Sequence, residues 1–261
     1  NVWDIDYSND HDYLKAAIDY QTTNGVMGMK FSLNQFHLFQ EVAGRLLAPA
    51  AIALNEAEMV EVFFPGVRYI HLQRRDKVKQ AVSYAKAWQN GIWYEATDGG
   101  DDFKEYLLPA LYDREHISCC LDIILAIDLG WQRYLRDNQL DSLEVWYEDL
   151  AADFSGKMRE VYDFLGINEA VTKAPPLRKQ ANIQSQEWER RFRAETPWLS
   201  EPAIAAALQS GDLAALPGEH DLAAATQRGV SRWQVMPATR YKALRSLVFR
   251  VKRKLKSLLK L

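Results

Sequence analysis

Residues 69–94 read YIHLQRRDKVKQAVSYAKAWQNGIWY. Tyr69 to Leu72 is a short β-prone run and Gln73 to Asp76 a polar turn. From Lys77 onward, Val78, Val82, Ala85 and Trp88 recur at helical spacing on one face. The reading is a strand that delivers the chain into a helix. Arg74 then closes the strand, and Ser83 lies two turns into the helix. A planar arginine fork matches phosphate oxygens bidentately, and ligands of open α/β sheets sit beyond the carboxyl ends of the strands. The pair therefore suits a phosphate held between fork and hydroxyl. An exposed arginine and a serine on a helix surface would give the same letters.

The order of residues goes further. Arg74-Arg75-Asp76-Lys77-Val78-Lys79-Gln80-Ala81-Val82-Ser83 resembles the 3′-phosphate motif of sulfotransferases that use 3′-phosphoadenosine 5′-phosphosulfate (PAPS). The nine-residue Arg-to-Ser spacing, followed by Gln-x-Gly-x-Trp at Gln89 to Trp93, is similar to the bacterial trehalose 2-sulfotransferase-like family rather than to the cytosolic aryl and steroid sulfotransferases. The resemblance implies an α/β fold, a parallel sheet flanked by helices. It also implies that Arg74 and Ser83 hold the 3′-phosphate of PAPS, the donor substrate, with no metal.

Upstream, residues 1–24 are polar and acidic with a helical patch from Asp12 to Tyr20, and Asn24-Gly25 punctuates a turn. Val26 to Gln35 reads as strand-like, with Gly28 where backbone or ligand can approach closely. Gly25-Val26-x-Gly28-x-Lys30, then Asn34-Gln35, again resembles the trehalose type, which implies that Lys30 lies beside the transferring sulfuryl group. Without the resemblance Lys30 is a strand-end surface lysine. Ser32 stands where the cytosolic enzymes have their histidine base, and His37 lies too far along to replace it. The trehalose-type enzymes use an upstream glutamate. That general base, with the first strand and the Ser/Thr/Gly-rich loop that binds the 5′-phosphosulfate, is expected before residue 1; alternatively the chain is a relative that does not hold the sulfate half of the donor.

Phe36 to Phe64 reads as two helices, to about Leu47 and from about Ala51, ended by Pro65-Gly66. Trp93 and Tyr94 precede an acidic loop, Thr97 to Asp102, and offer ring faces for a sugar, although core aromatics are the commoner case. Phe103 to Gln139 reads mainly as helix. Leu143 to Leu150 reads as a strand ending in Tyr-Glu-Asp-Leu, followed by a helix that Gly166 stops. This order resembles the sulfotransferases, in which the tyrosine packs on adenine, so Tyr147 inherits that role by position. Beyond Pro175-Pro176, Gln180-Ala181-Asn182-x-x-Ser185-x-Glu187-Trp188 again resembles the trehalose type, and implies that Lys179, then Arg178, with Gln180, close over the 3′-phosphate. Ser185 is expected to cap the following helix and Trp188 to dock it.

The chain has 261 residues, 48% of them hydrophobic, enough for one full α/β core. Residues 1–196 are assigned to that domain, 197–239 to a linker with a short helix, and 240–261 to a basic amphipathic helix. From Arg240 there are nine Lys or Arg and no acid; subtracting them from the net −3 leaves −12 for residues 1–239. Such a tail suits an anionic membrane surface, a partner, or the acidic domain itself. The acidic balance gives no electrostatic reason for nucleic acid. Two adjacent cysteines, Cys119 and Cys120, fit a reduced cytoplasmic compartment, with peripheral membrane attachment through the tail as a further expectation. Neither G-x-x-x-x-G-K-[ST] nor G-x-G-x-x-G occurs, and the five histidines have no metal-ligand spacing.

The expected function is transfer of a sulfuryl group from PAPS to a hydroxyl of a carbohydrate or glycolipid, with a homodimer plausible by resemblance. The alternative is a non-catalytic protein of the same fold acting as a membrane-surface or partner-binding module.

Overall fold

After helical residues at 15–16 and 18–19, two antiparallel residue pairs join β1 (Thr22–Thr23) to β2 (Val26–Met27). The computed structural model describes residues 15–16, 18–19, 22–23, 26–48, 54–92, 110–168 and 182–216. After β2 come α1 (Leu33–Leu47), α2 (Glu56–Phe63), β3 (Tyr69–Gln73), α3 (Lys77–Asn90), α4 (Arg114–Asp137) and β4 (Ser142–Trp146). The chain continues through α5 (Tyr147–Ala152), α6 (Phe154–Leu165), α7 (Ile183–Glu195) and α8 (Glu201–Ser210) to a 3-10 turn at Leu213–Ala215. β3 and β4 pair in parallel, in register from Tyr69 opposite Ser142 to Gln73 opposite Trp146. The expected α/β class is thus observed, mostly helical with a small parallel sheet.

Helix ends follow local chemistry. Asp76 caps α3 by accepting from the Lys79 amide, and Gly91 ends that helix in the left-handed region at φ 76°. Gly166, at φ 72°, ends α6 as expected. Two expectations are corrected. The strand-like reading of Val26 to Gln35 holds only for Val26–Met27, because Ser32 and Gln35 form a capping box that starts α1 at Leu33. The cap of α7 is Asn182, whose side chain accepts from the Ser185 amide, rather than Ser185 itself; Trp188 does dock that helix and is buried.

The main core lies between α3 and α4. Val78, Ala81, Val82 and Ala85 of α3 meet Ile117, Cys120, Leu121, Ile124, Leu125 and Leu129 of α4, and Trp188 and Phe192 of α7 close the layer. Leu199, Ile204, Ala207, Leu213 and Leu216 belong to the same core. The segment from Pro197, expected as a linker, is therefore packed structure through Leu216; the rest of 197–239 and the basic stretch 240–261 lie outside the described residues. A second, aromatic cluster joins Phe36 and Phe39 of α1 to Val60 and Tyr134, with Phe36 and Tyr134 edge to face at 4.8 Å. Among the described residues no helix is long and apolar enough to cross a membrane.

On β3 the pleat turns His71 and Gln73 into the protein and leaves Ile70 and Leu72 exposed. A small cavity of about 230 Å³ lies near the amino end of β3, lined by Leu33, Phe36, His37, Arg133 and Tyr134 among others. It is away from the carboxyl end, where the functional residues gather.

Candidate active site at the carboxyl end of the sheet

The parallel register decides what meets at this end. Because Gln73 lies opposite Trp146, the next residues, Arg74 and Tyr147, leave their strands side by side. The Arg74 Cζ sits 4.8 Å from the centre of the Tyr147 ring, a cation–π contact. The Arg74 side chain is 23% exposed, and its Nε approaches Glu148 Oε1 only to 3.8 Å. That Nε is buried and has no hydrogen-bond partner among the described residues.

Every other charge in this turn is answered. Arg75 makes a bidentate pair with Asp149 at 2.6 and 2.9 Å, its Cζ over the Trp146 ring at 5.0 Å. Glu148 accepts from the backbone amides of Arg75 at 3.0 Å and Asp76 at 3.4 Å. Burial pushes the Glu148 carboxyl up, but those amides and the Arg74 charge outweigh it and hold it below the usual range. Asp76 pairs with Arg193 of α7 at 2.8 Å and with Lys79 at 3.2 Å. Burial raises Asp76 too, yet its amide hydrogen bond and two cations bring it below its ordinary value. Beneath the turn Lys77 Nζ lies 2.6 Å from Asp128 Oδ2 of α4, the only partner of either atom among the described residues, and both residues are buried. Burial raises the Asp128 pKa despite that cation. The turn is thus pinned from α4, α5 and α7, while Arg74 meets Glu148 only at 3.8 Å and keeps an Nε with no hydrogen-bond partner among the described residues.

His71, one layer below, is pushed down to about 4, first by burial and then by the Lys77 charge. It is neutral at neutral pH. An unfolded histidine titrates near ~6.5, so the unfolded chain takes up the proton first, and stability present above that pH is lost as pH falls towards 4, about 3 kcal/mol in all. Urea denaturation at several pH values should show His71→Gln losing less stability than the unsubstituted protein between pH 6.5 and 4.5. Equal losses would contradict this role for His71.

The structure brings Arg74 and Tyr147 together. Ser83 is exposed on α3, and Lys30 is exposed in the loop between β2 and α1. Trp93, Tyr94, Arg178, Lys179 and Gln180 lie outside the described residues. Sequence reasoning named Glu148 only as part of a motif and missed Asp128 and Lys77. Glu148 carried a signal in its place after a strand tyrosine; the buried ion pair carried none.

The sequence model of the family described as Stf0 sulphotransferase matches residues 6–195. The chain is 30% identical over 182 residues to the trehalose 2-sulfotransferase of Mycobacterium tuberculosis (strain ATCC 35801 / TMC 107 / Erdman), covering 70% of this chain and 66% of that protein. It is 28% identical over 184 residues to the trehalose 2-sulfotransferase of Mycolicibacterium smegmatis (strain ATCC 700084 / mc(2)155), with the same coverage. The chain therefore spans just under two thirds of the length of these relatives. With a family match over most of its length and the motif arginine and tyrosine joined at one sheet end, the chain belongs to the Stf0 sulphotransferase family.

Proposed function

We propose that this protein is a PAPS-dependent sulfotransferase that moves a sulfuryl group to a hydroxyl of a carbohydrate or glycolipid. The observation that carries the reading is the half-buried Arg74 guanidinium, whose Nε lacks a hydrogen bond among the described residues in a turn where the neighbouring charges are paired. A buried donor left unmade costs about 1–3 kcal/mol, which an anionic oxygen from a ligand would remove. The donor set is cationic and hydroxylic, as a phosphate requires.

In this reading Arg74 and Ser83 hold the 3′-phosphate, with Arg178, Lys179 and Gln180, and Tyr147 packs on the adenine. PAPS supplies the sulfuryl group. Its S–O bond to the nucleotide breaks as a bond to the acceptor oxygen forms, and the acceptor proton goes to a carboxylate, the base that the resemblance implies. Lys30 stabilises the charge on the leaving oxygen, and Trp93 and Tyr94 offer ring faces to the sugar. Positioning and fixed cations do most of the catalysis, as in phosphoryl transfer. The name carried by both relatives supports a sugar hydroxyl as acceptor.

The test is incubation of the full-length protein with PAPS and a panel of sugars and glycolipids, with mass spectrometry for sulfated product. A sulfated carbohydrate is expected, and Lys30→Ala should lower kcat about 10²–10³-fold while leaving nucleotide affinity little changed. Absence of transfer to every hydroxyl acceptor would contradict the enzymatic reading.

A further inference from the structure

The polar seam between α3 and α7 holds a charge that no carboxylate among the described residues neutralises. Lys86, three residues beyond Ser83 on α3, is only 9% exposed. Its Nζ donates to Asn182 Oδ1 at 2.9 Å and to Ser185 Oγ at 2.8 Å, and lies 5.9 Å from the centre of the Trp188 ring. Both acceptors are neutral, and among the described residues no carboxylate pairs with this ammonium. Asn182 also caps α7, accepting from the Ser185 amide at 3.0 Å. The ammonium therefore sits at the positive end of that helix, where the dipole favours an anion.

At the other end of the same seam the charges are matched: Asp76 with Arg193, and Lys79 with Asp76 and Glu189. A structural latch at Lys86 would be better served by an apolar side chain, or by a lysine with a counter-ion, because a buried unpaired charge is costly. Burial indeed lowers the Lys86 pKa. What this position does have is proximity to Ser83, since residues three apart on a helix are surface neighbours.

We propose that Lys86 is a positioning residue of the nucleotide site: it ties the start of α7 to the helix carrying Ser83 and supplies a positive charge there that the ligand's 3′-phosphate balances. This rests on the reading that Arg74 and Ser83 hold that phosphate. The charge comes from the fold and is fixed before the ligand arrives, so it favours the phosphorylated ligand without needing to touch it.

The decisive variant is Asn182→Asp, which keeps a capping oxygen and gives Lys86 the missing counter-charge. It is expected to melt at or above the temperature of the unsubstituted protein. Calorimetric titration should nonetheless show affinity for adenosine 3′,5′-bisphosphate falling about tenfold, with affinity for adenosine 5′-monophosphate changing less than about twofold. Lys86→Met should show the same ligand-specific loss, and Lys86→Arg should recover most of it. A purely structural role would leave Asn182→Asp binding normally or would weaken both nucleotides alike, and either result overturns the proposal. Arg74→Ala separates the two levels. If it leaves bisphosphate affinity unchanged, the site reading fails and Lys86 with it; if it weakens binding while Asn182→Asp and Lys86→Met do not, the Lys86 assignment alone fails.

Discussion

Replacing Lys77 by methionine is expected to cost about 3–5 kcal/mol of stability, because it leaves Asp128 buried without its cation. The double variant Lys77→Met/Asp128→Leu should recover most of that loss, since apolar side chains of similar volume replace a buried ion pair at little cost. Urea denaturation of the two single variants and the double variant gives the coupling directly. A single variant within about 1 kcal/mol of the unsubstituted protein, well under the cost of a broken buried pair, would show that the pair does not hold the turn. The expectation matters for function because Lys77 is the first residue of α3. The pair pins from below the same turn that presents Arg74, so the double variant should fold yet bind nucleotide less tightly.

Arg74→Ala is expected to weaken binding of adenosine 3′,5′-bisphosphate by roughly ten- to a hundredfold, the loss of one charge-assisted contact of about 1.5–3 kcal/mol. Stability should change little. Arg74 contributes a 3.8 Å approach to Glu148 and a cation–π contact with Tyr147, while Glu148 keeps its bonds to the amides of Arg75 and Asp76. Calorimetric titration beside thermal melting separates the two effects. A large drop in melting temperature with affinity unchanged would make Arg74 a structural residue.

Much of the fold was legible because it is written locally. The strand-to-helix junction at Tyr69 to Asn90 follows from a β-prone run, a capping aspartate and helical spacing, and Gly166 marks the end of α6. The start of α1 was readable in principle from Ser32 and Gln35, but β-prone Val26 and Met27 just upstream drew the strand too far. At α7 both Asn182 and Ser185 suit a cap, and only the helix start at Ile183 decides between them. The packed segment around α8 was hidden because its few apolar residues, Leu199, Ile204, Leu213 and Leu216, show no strong period and gain meaning only against α3 and α4. In the site, Arg74 and Tyr147 were readable from two motifs; the expected strand through Leu150 stops at Trp146, Tyr147 opens α5, and the parallel register joins the two residues. Glu148 accepting amides from another strand-turn, and Lys77 meeting Asp128, depend on distant chain segments and left no local pattern.

Calorimetric titration of the unsubstituted protein with adenosine 3′,5′-bisphosphate, beside adenosine 5′-monophosphate, tests the central claim most directly. A cleft built around Arg74 for a 3′-phosphate predicts saturable binding of the bisphosphate that is much weaker once the 3′-phosphate is removed. No saturable binding, or equal binding of the two nucleotides, would contradict it.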